Sequence, residues 1–263
     1  MKEIIIKDMQ QLVAQLNEYP LNFIFRGHTD SEWHLESTLE RLLKLKWSSV
    51  NAKEAEDFSL LEFKSKFHLY DSTNKTPTTK LEWLSIMQHY GVPTRLLDFT
   101  ESPYIALYFA IEGFIRTSES NFALYAVDYR ELIKTSIKYI KTKDSGFKYE
   151  YRAALQSQDE IFEDVLNRFA HDILWITNPT QVNLRLDRQS GCFMVSGNIG
   201  KRIEDVLRDQ IYKNVEIHKI IIPNLFYENI YTLLKKANIT GKALYGDLAG
   251  LAKSINLALK AYH

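Results

Sequence analysis

Apolar positions along the chain fall into short unbroken runs and longer stretches spaced by three and four, which predict strands and helices respectively. "EIIIK" at Glu3–Lys7 reads as a strand, after which Asp8 can cap a helix reaching about Tyr19. "NFIFR", from Asn22, is the next strand. "ESTLERLLKLKW" carries Leu39, Leu42, Leu43 and Trp47 on one predicted helical face, and "AEDFSLLEFKSKFHLY" carries Phe58, Leu61, Phe63 and Phe67. "TTKLEWLSIMQHYG" predicts a third helix, capped by Thr79 and stopped at Gly91. Pro93 forbids its simple continuation.

Ser102 and Pro103 open "PYIALYFAIEG", which is apolar on nearly every side and so predicts a helix buried all round. Asn121–Asp128 is a strand, "YRELIKTSIKYI" a short amphipathic helix, and Lys141–Ser157 a polar surface loop. "DEIFEDVLNRFAH" reads as a helix and "DILWITNP", "GCFMVSG" and "EIHKIIIP" as strands. Two further helical stretches, "LFYENIYTLLKKANI" and "GDLAGLAKSINLALKAY", follow. Helices and strands alternate irregularly, which favours α+β over a regular βαβ wheel.

Composition narrows the functional classes. At 263 residues one domain with a large core is sufficient, and 45% hydrophobic content argues against disorder. Lysine plus arginine equals aspartate plus glutamate at 33 each, so no net field gathers nucleic acid or an anionic membrane from a distance. The lone Cys192 excludes an intramolecular disulfide and a cysteine-rich zinc site. With no signal peptide or membrane-length apolar run, a cytoplasmic location is expected.

Common catalytic signatures fail. "SGNIGKR" has neither the earlier glycine nor the Ser or Thr that a phosphate-binding Walker loop needs, and the HExxH and GxSxG patterns are absent. His28, Asp30 and His34 could form a metal site, but their spacing matches no regular ligand geometry, so no metal is expected.

Three polar places remain. Arg26 with Gly27 sets a rigid, charged fork beside a backbone without a side chain; it suits a phosphate or ribose, or equally an internal carboxylate. In "HYGVPTRLLDFTESP", a regular strand over Thr94–Phe99 would put Thr94 and Asp98 on one face and Arg95 on the other. Asp98 could then pair with Arg26, leaving His89 and Tyr90 to meet a ligand. In "RLDRQSGCF", Gln189 can orient a hydroxyl or amide but cannot act as a carboxylate.

"FIFRGHTDSEWHLESTLER", "QHYGVPTRLLDFTESPYIALYFA", "RQSGCF" and "ALYGDLAGLA" together resemble the FRG domain, a family named for a Phe-Arg-Gly motif. The matching blocks run from about residue 22 to 252, which implies a single domain over 1–263. Their layout is similar to the ADP-ribosyltransferase fold and implies small mixed sheets in a split β-sandwich surrounded by helices. The resemblance implies NAD or a related nucleotide as ligand and substrate, with Arg26, Gly27, His89, Tyr90, Thr94, Arg95 and Ser102 binding it. Gln189 would stand where that fold usually has a catalytic glutamate, leaving Asp98 or Asp187 as the acid. The expected activity is ADP-ribose transfer to a protein or nucleic acid by a toxin or phage-defence effector. The alternative is a non-catalytic nucleic-acid or protein interaction module, with Tyr139, Tyr149 and Tyr151 stacking on bases.

Overall fold

The computed structural model describes residues 1–71, 76–180 and 183–262. In chain order the first elements are β1 (Lys2–Ile5), α1 (Met9–Glu18), β2 (Phe23–His28), α2 (Thr38–Leu43), α3 (Ser49–Tyr70), α4 (Lys80–His89), β3 (Leu97–Thr100) and α5 (Pro103–Glu112). They continue with β4 (Phe122–Asp128), α6 (Tyr129–Lys143), α7 (Tyr151–Gln156), α8 (Gln158–Asp164), β5 (Leu174–Thr177), α9 (Leu184–Arg188) and β6 (Gly191–Ser196). Then follow α10 (Ile203–Leu207), β7 (Ile217–Ile222), α11 (Tyr227–Lys236), α12 (Gly241–Tyr245) and α13 (Leu248–Tyr262).

The class is α+β. Among the described residues one mixed sheet of seven strands runs β1-β7-β4-β2-β3-β6-β5, with β1 parallel to β7 and the other pairs antiparallel. The small sheets expected from the sequence are therefore joined edge to edge, and the joint is thin. β2 and β4 pair at every residue from Phe23 to His28, whereas β2 and β3 share the single pair Phe25–Thr100.

Each face of the sheet covers its own apolar cluster because side chains alternate along a strand. On β2, Phe23 and Phe25 join the cluster that includes Ile105, Ala106 and Ala110 of α5. Ile24 joins the opposite cluster, with Leu84, Phe99, Tyr125 and Trp175. Gly27 thus faces α5, and the approach is close: a Cβ there would lie 1.9 Å from the Ala106 carbonyl oxygen and 2.6 Å from the Ala110 nitrogen.

Local signals set the helix starts. Ser102 accepts from the Ile105 amide at 3.3 Å and Pro103 occupies the first turn, so α5 begins where the sequence indicates. Thr79 and Glu82 form a reciprocal capping box on α4.

Three expectations are corrected. Phe58 and Leu61 are exposed at 67% and 68%: at about 100° per residue Leu61 lies across α3 from Phe63 and Phe67, which pack on Trp83, and Phe58 lines the open groove beside them without packing on Trp83. Lys141–Ser157 is not all loop, since α6 extends to Lys143 and α7 covers Tyr151–Gln156. The strand expected over Thr94–Phe99 is only Leu97–Thr100, so Thr94 and Arg95 escape its alternation. No helix among the described residues is long and apolar enough to cross a membrane.

Candidate functional site

Beyond the Phe25–Thr100 pair β2 and β3 part, and a cleft of about 270 Å³ opens there. Six elements or their ends bring polar groups to it: Arg26 from β2, Asp98 from β3, Ser85, Gln88 and His89 from α4, Glu112 from the end of α5, Arg185 and Gln189 from α9 and its C-cap, and Tyr245 from α12. Phe99, Phe109 and Phe193 give it apolar surface. A mostly formed concavity with few convergent polar groups is the usual form of a small-molecule site.

Arg26 is spread over three directions. Its Nε donates to His28 Nε2 at 2.9 Å, and its Nη1 donates to the Asp98 main-chain oxygen at 2.6 Å. The first bond requires an unprotonated Nε2, so His28 is the neutral tautomer with its proton on Nδ1. Burial, and next the Arg26 charge, push the His28 imidazole down to about 3. Burial also lowers the Arg26 guanidinium to about 10, opposed by Asp98, and it stays charged at neutral pH. Its Nη2 has no hydrogen bond to any described residue and is available to the cleft.

Glu112 is the carboxylate that sequence reasoning missed. It accepts from Tyr108 and Tyr245 hydroxyls, both at 3.0 Å, and pairs with Lys253 Nζ at 2.9 Å. Burial, and then Glu112 itself, raise both phenols, so they stay protonated donors. A carboxylate closing an otherwise apolar helix was the available signal; its partners on α12 and α13 lie more than a hundred residues away. Tyr245 in turn lies under the Arg185 guanidinium, 4.4 Å from its ring centroid. Gln189 turns its Nε2 toward the Leu244 carbonyl at 3.4 Å.

The sequence-derived set divides. Arg26, Gly27, His89, Asp98 and Gln189 line this one cleft. Tyr90, Thr94, Arg95 and Ser102 do not. Tyr90 is 68% exposed and lines a separate aromatic groove with Phe58, Phe63 and Phe67, because it follows the last turn of α4. Arg95 is buried, its Nε 3.0 Å from Glu56 Oε2 and its guanidinium over the rings of Phe162 and Phe169 at 4.7 and 4.8 Å. Ser102 is spent on the α5 cap, and Thr94 donates to the Gln88 side-chain oxygen. Asp187 is outside the cleft lining.

The other sequence readings lose their geometry. His28 bonds Arg26, His34 pairs with Glu204 at 3.0 Å, and Asp30 accepts from Ser120, so the three former metal candidates serve separate partners. Tyr139, Tyr149 and Tyr151 are partly buried, packed against the main core.

Residues 21–119 match the FRG domain. That span supplies Arg26, the α4 face, Asp98 and Glu112, whereas Arg185, Gln189 and Tyr245 come from outside the FRG match and close the other side of the cleft. No curated protein and no solved structure matches the chain.

Proposed function

We propose that the cleft between β2 and β3 binds NAD or a related nucleotide, and that this FRG-domain protein transfers ADP-ribose as a toxin or defence effector. One observation carries the reading: Arg26, with Nη2 uncommitted, and Gln189 line the same cleft although 163 positions apart in sequence. A guanidinium is the side chain suited to bidentate phosphate contact, and Arg185 adds a second cation at the same cleft. The volume suits one nucleoside-sized part of the ligand, with the remainder along the lip.

Transfer breaks the bond between nicotinamide nitrogen and ribose carbon. The bonding pair leaves with nicotinamide, positive charge develops on the ribose, and the acceptor loses a proton as it attacks. Such a centre gains from a nearby carboxylate. Gln189 cannot supply one, but Asp98 and Glu112 both line the cleft. Calorimetric titration with NAD, followed by a nicotinamide-release assay, tests the proposal. Binding to wild type that is lost in a folded Arg26→Ala variant is the expected result. Absence of binding to wild type, or affinity unchanged in that variant, overturns it.

A further inference from the structure

The α4 face that looks into the cleft holds three buried polar atoms with no partner among the described residues: Ser85 Oγ, Gln88 Nε2 and His89 Nδ1. They stand at i, i+3 and i+4, one stripe of the helix. Ser85 is only 4% exposed. Buried polar groups without partners are costly, and three on one stripe of one cleft wall is more than packing requires.

The Gln88 amide has a fixed direction. Thr94 is fully buried and its hydroxyl donates to Gln88 Oε1, while the same hydroxyl oxygen accepts from the Leu96 amide at 3.2 Å. Thr94 is itself pinned by Thr38, whose hydroxyl accepts from the Thr94 amide at 2.9 Å. With Oε1 occupied, Gln88 offers the cleft only N–H donors. His89 is lowered by burial and then by Arg185, so at neutral pH it offers an uncharged ring nitrogen and no cation. Ser85 can donate or accept. The stripe therefore suits a neutral polar edge, and Phe99, Phe109 and Phe193 supply apolar surface for the flat faces behind that edge.

We infer that Ser85, Gln88 and His89 read the edge of a planar heteroaromatic group, with Gln88 donating to a carbonyl or ring-nitrogen acceptor and Thr94 acting as its positioning residue. This deepens the nucleotide reading by assigning the ring-recognition wall, and it holds for either source of such a ring, a nicotinamide or a nucleobase.

The test is calorimetric titration of the full chain with nicotinamide, adenosine and uridine separately, and with NAD in parallel. At least one ring probe is expected to bind. Gln88→Glu, which replaces the donor by an acceptor at constant shape, should weaken that probe by tenfold or more, and Gln88→Leu should do likewise if the added charge unfolds the chain. Thr94→Val should weaken it too, Thr94→Ser should restore it, and Thr94→Val should add nothing in the Gln88→Glu background, which a merely structural role would not produce. The probe that binds names the ring. Binding of no ring probe, or affinity unchanged in folded Gln88 variants, overturns the inference. Failure of NAD alone, with a ring probe still sensitive to Gln88, removes the NAD reading and leaves this one. NAD binding that depends on Arg26 but not on Gln88 does the reverse.

Discussion

Arg26 and Asp98 meet side chain to main chain: Arg26 Nη1 donates to the Asp98 carbonyl oxygen across 2.6 Å, on neighbouring strands that share only one backbone pair. The arginine therefore bridges the place where the sheet splits while leaving Nη2 to the cleft. It is a strut that also lines the cleft, which makes its replacement informative in two ways. Arg26→Ala removes the bridge and the donor to His28, and a loss of about 1–3 kcal/mol is expected, chiefly from the buried His28 ring nitrogen left unpaired. Arg26→Lys keeps charge but cannot reach both partners with a planar fork, so it should recover little. Urea unfolding of the three proteins gives the comparison; a lysine variant as stable as wild type would show that the fork is not needed.

His28 makes stability depend on pH. Its imidazole sits at about 3 in the folded chain, against roughly 6.5 in an unfolded one. Between those values the unfolded chain binds a proton that the folded chain refuses, so stability is complete above about pH 6.5 and falls as pH drops toward 3. Burial lowers His89 and His218 as well, and they act with the same sign. For His28 alone the loss between pH 7.5 and 5.5 should be on the order of 1 kcal/mol. His28→Asn should start less stable but show a shallower fall, measured as unfolding midpoints at the two pH values. Equal slopes for the two proteins would exclude His28 as the source.

How much of this was legible in the sequence depends on the range of the cause. The Ser102-Pro103 start of α5 rests on neighbours in the chain and was readable, whereas β2 runs through Arg26 and Gly27 to His28, because its pairing with β4 continues to Ala123, far away in sequence. Arg95 was misplaced because β3 starts only at Leu97, and its carboxylate partner, Glu56, lies on a separate helix. The spacing of Ser85, Gln88 and His89 is visible in the sequence, but nothing local shows that their stripe faces a cleft instead of solvent. Glu112 is the extreme case, since Tyr245 and Lys253, which hold it, arrive near the end of the chain.

Arg95 is expected to govern stability and not ligand affinity. Its carboxylate partner Glu56 is only 2% exposed and also pairs with Lys80 at 2.8 Å. Removing one member leaves a buried charge, so Arg95→Ala should cost about 3–5 kcal/mol. Glu56→Ala should cost a similar amount, and the double variant much less than the sum. A double-mutant cycle by chemical unfolding checks this; additive losses would mean that the two charges do not act as a pair.

Gly27 answers to the helix behind it. It lines the cleft, but the missing Cβ matters on the α5 side, where it would overlap the Ala106 carbonyl, and main chain cannot yield as a side-chain tip can. Gly27→Ala should therefore push β2 and α5 apart and cost more than about 3 kcal/mol. Gly91 provides the contrast: its φ is +84° but a Cβ there would meet nothing within 4 Å, so Gly91→Ala should cost only about 1–2 kcal/mol of backbone strain. Thermal unfolding of both variants separates the two causes, and a Gly27→Ala protein no less stable than Gly91→Ala would rule out close packing as the reason for the glycine.

Glu112 and Lys253 should prove unequal although they touch. The carboxylate is 18% exposed and holds two part-buried tyrosine hydroxyls as well as the ammonium, whereas Lys253 is 37% exposed and adds only a contact over the Tyr245 ring at 4.7 Å. Glu112→Gln keeps the shape but turns an acceptor into a donor against those hydroxyls, for an expected cost of about 1–3 kcal/mol. Lys253→Ala removes a partly solvated partner and should cost about 0–1 kcal/mol. If the cleft performs the proposed transfer, Glu112→Gln should also slow nicotinamide release at least tenfold while NAD affinity changes less than about threefold, the pattern of a group that acts on developing charge. Unfolding curves and paired rate and binding measurements decide it: equal losses for the two variants would make Glu112 no more than half of a surface ion pair.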